Sequence, residues 1–427
     1  MKSIITLLCA AALCGALAGC GSGGTGAATP SASPSAMPPT ALKPTEYTDT
    51  DFDTSGDIVL KTEYDVYGAD APEISYTITN RTAEERIYGV AYSIEVRQNG
   101  AWYQVPFPGG TMYWIAVGII LEPNGTNADS FSLSSLDYTF SDGQYRLIKE
   151  IGDKRYFADF EIGASPITAE TPFGYIALEK LPKEYTADTA AANGDVVVMQ
   201  TEVKNAGKLT EFVRKAALGM PAMVRIVKYT MEGDPILTDI IYNENHRGYY
   251  SRRHDSSRDA FGGADTGISE MIYSYLITDG EGLYLSDCAG WEATEAYPEA
   301  ALIQIAANGA FGDLGEAVAI TGEMTAERMK WNIARYRVFS PDTKQNVALY
   351  GGLSYGFEGL SSSETREVRD PDGIATEITS VFWLDDNTFI LICRTSGSLT
   401  YFHAVGNAGS GYGTGFTFTD GVFEIIE

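Results

Sequence analysis

Apolar and polar positions alternate with a period of two through much of the first third of the chain. The run Ile74-Ser-Tyr-Thr-Ile-Thr-Asn has that pattern, as a strand with one face in a core and one in water requires. A second strand is expected from Ile87 to Arg97. It ends at Gln98-Asn-Gly-Ala, where an Asn-Gly pair suits a tight hairpin because both turn residues take positive φ. Trp102-Tyr-Gln-Val starts the return, Leu121-Glu-Pro-Asn-Gly marks another turn, and Asp142-Gly-Gln-Tyr-Arg-Leu-Ile opens a late strand. About seven short strands at regular spacing predict an antiparallel all-β sandwich over residues 46–164.

The pattern then changes. Asp195-Val-Val-Val-Met is an apolar run of strand length. Leu209, Phe212, Val213 and Ala216 recur at helical spacing, and Gly219 follows as a stop, which predicts a short amphipathic helix over 209–218. Val224-Arg-Ile-Val-Lys-Tyr-Thr alternates, turns at Glu232-Gly-Asp-Pro, and returns through Ile236 to Tyr242. Residues 165–290 are therefore expected to form an α+β domain. Residues 291–427 predict a β-rich C-terminal region, with a helical turn near Ala326 to Trp331 and a hairpin around Asp385-Asp-Asn. The expected fold class is multidomain: a sandwich, an α+β domain, then a β-rich region.

The N-terminus has a different pattern. Lys2 precedes an apolar run from Ile4 to Leu17, too short for a permanent bilayer span. Leu17-Ala-Gly-Cys20 closes it and resembles the lipobox of bacterial lipoproteins. That resemblance implies a signal peptide over residues 1–19, removed before Cys20, and a diacylglycerol on the Cys20 thiol. The expected location is the extracytoplasmic face of the cell membrane, with the membrane itself as a partner. Residues 20–45, rich in Gly, Ser, Thr, Ala and Pro, fit a flexible spacer.

Two further resemblances lie in the folded part. Ile74-Ser-Tyr-Thr-Ile-Thr-Asn, Gly100-Ala-Trp-Tyr-Gln-Val-Pro, Leu121-Glu-Pro-Asn-Gly and Gly143-Gln-Tyr-Arg-Leu-Ile resemble the bacterial immunoglobulin-like domains of Firmicute lipoproteins. That family implies a spacer or binding module without catalytic residues. The run from Val224 to Ile240, and Ser257-Arg-Asp-Ala-Phe-Gly, resemble the Firmicute domain of unknown function 4362, which implies no activity.

Charge narrows the partners. With 57 acidic and 30 basic residues the formal net charge is −27, which opposes nucleic-acid binding. Beyond the leader and Cys20 only Cys288 and Cys393 remain, and the sequence leaves their pairing open. The three histidines, His246, His254 and His403, lie at no metal-ligand spacing, so no metal or other cofactor is expected. The acidic run Asp49, Asp51, Asp53, Asp57 lacks the glycine and glutamate of an EF-hand loop.

Two groups of residues are candidates for chemistry. Arg252, Arg253, His254, Arg258 and Asp259 concentrate basic groups in an acidic chain, and guanidinium pairs well with carboxylate and phosphate. The alternative to an anion pocket is an outer strand face paired with neighbouring acids. Gly352-Leu-Ser354-Tyr-Gly fits a nucleophile elbow, with acids and His403 following in the right order. The loop-like residues after Ser354 lack the helix that an elbow needs. The leading expectation is a non-catalytic binding or sensing lipoprotein of the envelope, with an unidentified ligand. The alternatives are a serine hydrolase using Ser354 and His403, and an inhibitor or chaperone of another exported protein.

Overall fold

A computed structural model of the chain describes residues 42–110, 112–244, 248–262, 267–298, 300–331, 335–342, 344–350, 354–358, 363–369, 377–386, 388–394, 400–406, 413–419 and 422–426. The sandwich has ten strands: β1 (Ile58–Thr62), β2 (Val66–Tyr67), β3 (Ile74–Asn80), β4 (Arg86–Tyr88), β5 (Ser93–Gln98), β6 (Ala101–Gln104), β7 (Ile119–Leu121), β8 (Thr126–Phe131), β9 (Gly143–Ile151) and β10 (Lys154–Ile162). One sheet runs β1-β3-β8 and the other β2-β10-β9-β4-β7, with β5 joining β9 to β6. The two sheets enclose one core in which Ile74, Tyr76 and Ile78 alternate inward against Tyr145, Phe131 and Phe160. The β5–β6 hairpin turns through Asn99 (φ 51°) and Gly100 (φ 84°), so both turn residues are left-handed.

The sandwich carries its own buried ion pair. Arg146 on β9 donates from Nε to Glu95 Oε2 on β5 at 2.8 Å, and both side chains are almost fully buried. The guanidinium lies 4.4 Å from the Trp102 ring centroid and 4.7 Å from that of Phe52. Thr45 donates to the other carboxylate oxygen of Glu95 at 2.5 Å. The chain before β1 is tied to this node, because Thr45 N–H donates to Trp102 O and Gln104 N–H donates to Lys43 O.

The α+β domain follows with α1 (Ala187–Ala192), β11 (Val196–Val198), β12 (Val203–Lys204), α2 (Gly207–Ala217), β13 (Ala222–Tyr229), β14 (Pro235–Tyr242), β15 (Tyr250–Asp255) and β16 (Ile268–Tyr273). These strands form one sheet in the order β12-β11-β13-β14-β15-β16, parallel between β11 and β13 and antiparallel elsewhere. The four expected positions of α2, Leu209, Phe212, Val213 and Ala216, are the buried ones. They cover Val224, Ile226, Ile240 and Tyr250 on one sheet face. On the other face Val227, Tyr229 and Leu237 are covered by Leu178, Leu181 and Tyr185.

The first of these cores continues past residue 290. After β17 (Tyr275–Thr278), β18 (Gly282–Ser286), α3 (Trp291–Ala296), β19 (Leu302–Ala307) and α4 (Gly315–Trp331), Ile305, Ala306, Leu314 and Ala317 pack into it. Residues 291–331, expected with the C-terminal region, are thus divided. β19 and α4 complete the α+β core, while Ala293 and Tyr297 pack on the C-terminal strands. The helical turn expected near 326–331 is the end of α4, which starts at Gly315. Gly322, Thr321 and Thr325 lower its intrinsic propensity, and packing of Ala317 into the α+β core supports it.

The remaining described strands form two antiparallel meanders. The first is β20 (Arg335–Phe339), β21 (Asn346–Tyr350), β22 (Ser354–Glu358) and β23 (Ser363–Glu367). The second is β24 (Glu377–Asp385), β25 (Thr388–Arg394), β26 (Thr400–Gly406), β27 (Gly413–Thr419) and β28 (Val422–Ile426). Cys288 and Cys393 are both fully buried in the same core as Val347, Leu349 and Phe389. The Cys393 thiol donates to Leu391 O at 3.8 Å.

Candidate functional site

The basic segment falls on β15, and strand alternation splits it between two faces. Arg253 and Asp255 point with Asp239 to the side opposite α2. There Arg253 is bonded to Glu179 and lies 3.7 Å from Glu270. Arg258 is bonded to Asp255 and reaches the carbonyls of Leu181 and Leu178 at 3.3 and 3.4 Å. It acts as a clamp, fastening the chain around 178–182 over the sheet. Burial pushes the Asp255 carboxyl up, but hydrogen bonds from Ser257 and the Arg258 charge outweigh it and hold it below the ordinary range. Asp259 accepts from Phe261 N–H at 3.0 Å and shapes its own turn.

Arg252 and His254 point the other way. Arg252 is half-buried between its cross-strand neighbours Ile240 and Met271. Among the described residues it has no carboxylate partner, and burial lowers its pKa against the smaller opposing effect of Tyr273. His254 Nδ1 is hydrogen-bonded to Thr238 Oγ1 at 2.9 Å. Burial, then the neighbouring Arg252 charge, depress its pKa. His246 and Arg247 lie outside the described residues.

Below the opposite face sits a polar cluster that the sequence reading did not single out. Arg225 grips Asp239 through Nε at 2.6 Å and Nη2 at 2.8 Å, and Nη2 also donates to Ile176 O at 2.7 Å. Asp195 accepts from Tyr185 Oη at 2.6 Å, and its second oxygen is buried without a hydrogen-bond partner among the described residues. Burial raises the Asp195 pKa to about 6. The hairpin register carried the missed signal: with Tyr229 opposite Pro235, Arg225 falls opposite Asp239.

A gathering of aromatic and acidic side chains lies where the sandwich meets the α+β domain. A cavity of 320 Å³ is lined by Glu63, Tyr64, Tyr67 and Glu73 of the sandwich, Phe173 of the connection, and Glu244 after β14. Among the described residues no Lys or Arg belongs to its wall. Behind the wall, Lys215 of α2 pairs with Glu63 at 2.8 Å and lies 5.5 Å from the Tyr64 ring centroid. Burial pulls the Lys215 pKa down, but the carboxylates of Glu63 and Glu211 outweigh it and hold it above the ordinary value. Burial raises the phenols of Tyr64 and Tyr67, so both stay neutral near pH 7. The connection is held close: Gly68 N–H donates to Ile167 O at 2.7 Å, and a Cβ on Gly68 would lie 2.9 Å from that oxygen.

Ser354 opens β22, which is paired with β21 and β23 on either side. A nucleophile elbow needs a strand before the serine and a helix after it, and Ser354 has a strand after it. His403 lies on β26 in the other meander. In the acidic run, Asp51 accepts from Thr48 N–H at 2.6 Å and Asp53 pairs with Lys154. Among the described residues no three His, Cys, Asp or Glu side chains converge on a metal position, and no helix is long and apolar enough to cross a membrane.

The domain organisation defines a class, a bacterial immunoglobulin-like sandwich carrying an α+β module. Residues 54–161 match the family model described as bacterial Ig-like domain. Residues 193–281 match the Domain of unknown function (DUF4362). The chain therefore carries both domains, in that order. No curated protein matches it. Among solved structures it is similar to Pseudomonas fluorescens alkylpurine DNA glycosylase AlkC bound to DNA containing an abasic site analog, at 12% identity over 25% of this chain, with a TM-score of 0.17. The chain spans only 31% of the length of that protein. The archaellum periplasmic stator protein FlaG from Sulfolobus acidocaldarius is 16% identical over 25% of this chain and 99% of its own, with a TM-score of 0.18. A structural genomics protein of unknown function from Bacteroides thetaiotaomicron is 10% identical over 86% of this chain and 73% of its own, also at 0.18.

Proposed function

We propose that the protein is a lipid-anchored binding protein on the extracytoplasmic face of the membrane, held through Cys20, whose junction cavity takes a cationic amine. The observation that carries the ligand class is the cavity wall: three glutamates and three aromatic rings around 320 Å³, with no basic side chain among its described residues. Aromatic faces and carboxylates together favour an ammonium group, and the volume suits a small ligand or one side chain of a larger one. The lipobox and spacer support the location.

Titration calorimetry with spermidine, on the full chain in detergent, tests the ligand class. Saturable binding that weakens at least about tenfold in Glu73→Gln and again in Glu244→Gln is expected from the loss of desolvated charge pairs. Binding unchanged in both variants would remove the cavity from the account.

A second reading rests on Arg252, whose half-buried guanidinium lacks an acid partner among the described residues. With His254 beside it, that position suits a small carboxylate or phosphate. Arg253, Arg258 and Asp259 take no part in it, being engaged in the contacts given above. Phosphate titrations that leave the His254 imidazole signals unchanged in NMR would sink this reading.

A further inference from the structure

We propose that the loop Met112–Ile115, with Ile87 and Ile120 beside it, is a membrane-interface anchor that lays the tethered sandwich against the lipid surface. The proposal rests on the lipid-anchor reading and adds to it a second, protein-borne contact with the same membrane.

Three observations carry it. First, residues 105–121 contain no charged side chain in a chain of net charge −27. Second, the segment presents large apolar groups to solvent on a fixed base. Tyr113 is 90% exposed, Ile115 60%, Ile87 54% and Ile120 51%. The Trp114 ring is held against Tyr92 at 5.0 Å and Phe107 at 5.6 Å, so the base of the loop is packed while its neighbours project. Ile87 and Ile120 are cross-strand neighbours of β4 and β7, and a Cβ on Gly118 would lie 3.2 Å from Ile87. Loop and strand pair thus form one apolar surface, at an edge strand of the larger sheet.

Third, the chain enters the sandwich along β6, beside the start of the connection that carries this loop. Lys43 pairs with Gln104 and Pro44 with Tyr103, running antiparallel to β6. Followed backwards, the chain leaves at Leu42, beside the start of the 105–118 connection, and Leu42 and Phe107 pack on the same core. On the lipid-anchor reading Cys20 precedes Leu42 by 22 residues in the sequence, and the chain coming from the lipid enters the sandwich on the side that carries this surface. Tyrosine, tryptophan and aliphatic side chains without charge are what partitions into the interfacial layer. A lone acyl anchor leaves orientation free, whereas this second contact fixes which side of the sandwich faces the lipid.

The test uses the full lipidated chain reconstituted with vesicles of phosphatidylethanolamine and phosphatidylglycerol at 3:1. A Tyr113→Cys variant carries an environment-sensitive dye; Cys20 is occupied by lipid, and Cys288 and Cys393 are fully buried. Met231→Cys, 84% exposed on the β13–β14 turn, is the control. The expected result is a blue shift and quenching by bromolipid at 113 and neither at 231, with the shift reduced at least twofold by adding Ile115→Ser and Ile120→Ser. Flotation with the vesicles reports the Cys20 anchor separately. Flotation with a water-like dye at 113 would overturn the loop and keep the anchor. A shift on added vesicles without flotation would sink the anchor and keep the loop. A shift that needs no vesicles and grows with protein concentration would overturn the proposal in favour of a second copy of the chain on this surface.

Discussion

Asp287 is a buried carboxyl whose titration couples folding to pH. It accepts from Ser274 N–H at 3.1 Å and Ser274 Oγ at 3.2 Å, and burial raises its pKa to about 7. The folded chain therefore holds a proton there between pH 4 and 7 that the unfolded chain has released. The stability this group contributes is complete below pH 4 and is lost as pH rises through 7. Asp195, raised to about 6, acts with the same sign. Asp287→Asn keeps the acceptor and removes the titration. Its stability advantage over wild type should grow from near zero at pH 4 to about 4 kcal/mol at pH 8, read by chemical denaturation across that range. A difference independent of pH would contradict the assignment. The Glu95–Arg146 pair behaves differently, because removing one partner strands a charge inside the sandwich. Arg146→Met should cost about 3–5 kcal/mol, and adding Glu95→Leu should recover much of that, as measured by a double-mutant cycle. None of these three carboxylates stood out in the sequence. Glu95 meets Arg146 only through the pairing of distant strands, while Asp195 and Asp287 sit at strand ends and meet Tyr185 and Ser274 only through the way the intervening chain folds back.

Elements were more legible than the side-chain partners they bring together. The helix α2 was readable because four apolar residues at helical spacing precede a glycine, and those residues are its buried face. Phe212→Ala should cost about 3–5 kcal/mol, since a fully enclosed ring leaves a cavity against Tyr250; urea denaturation reads it. The basic run was legible as composition, but not as a site. Alternation along β15 sends Arg253 to Glu179 and Glu270 on one face and leaves Arg252 with His254 on the other. The connection between the domains carried no periodic signal at all. Its position depends on Gly68, where a Cβ would press on Ile167 O. Gly68→Ala should destabilise the junction by roughly 1–3 kcal/mol, seen as faster protease cleavage within residues 163–174. Unchanged cleavage would mean that this close approach does not hold the connection in place.

At the scale of the whole molecule, local patterns located the sandwich and the α+β domain, and the matched segments 54–161 and 193–281 lie inside those expected limits. The end of the second domain was not legible, because β19 and α4 return to its core after an excursion through α3 that packs elsewhere. Limited proteolysis of the full chain should therefore leave a fragment that extends past 290 to about 331. A stable fragment ending at 290 would place β19 and α4 outside the domain core. The location at the membrane rests on the N-terminal pattern alone. The most direct measurement is the intact mass of the protein extracted from bacterial membranes. The expected chain begins at Cys20 and carries a diacylglycerol on its thiol, and its Cys20→Ser variant is released from the membrane fraction. A chain that retains residues 1–19, or that begins near Cys20 without added lipid, would contradict it.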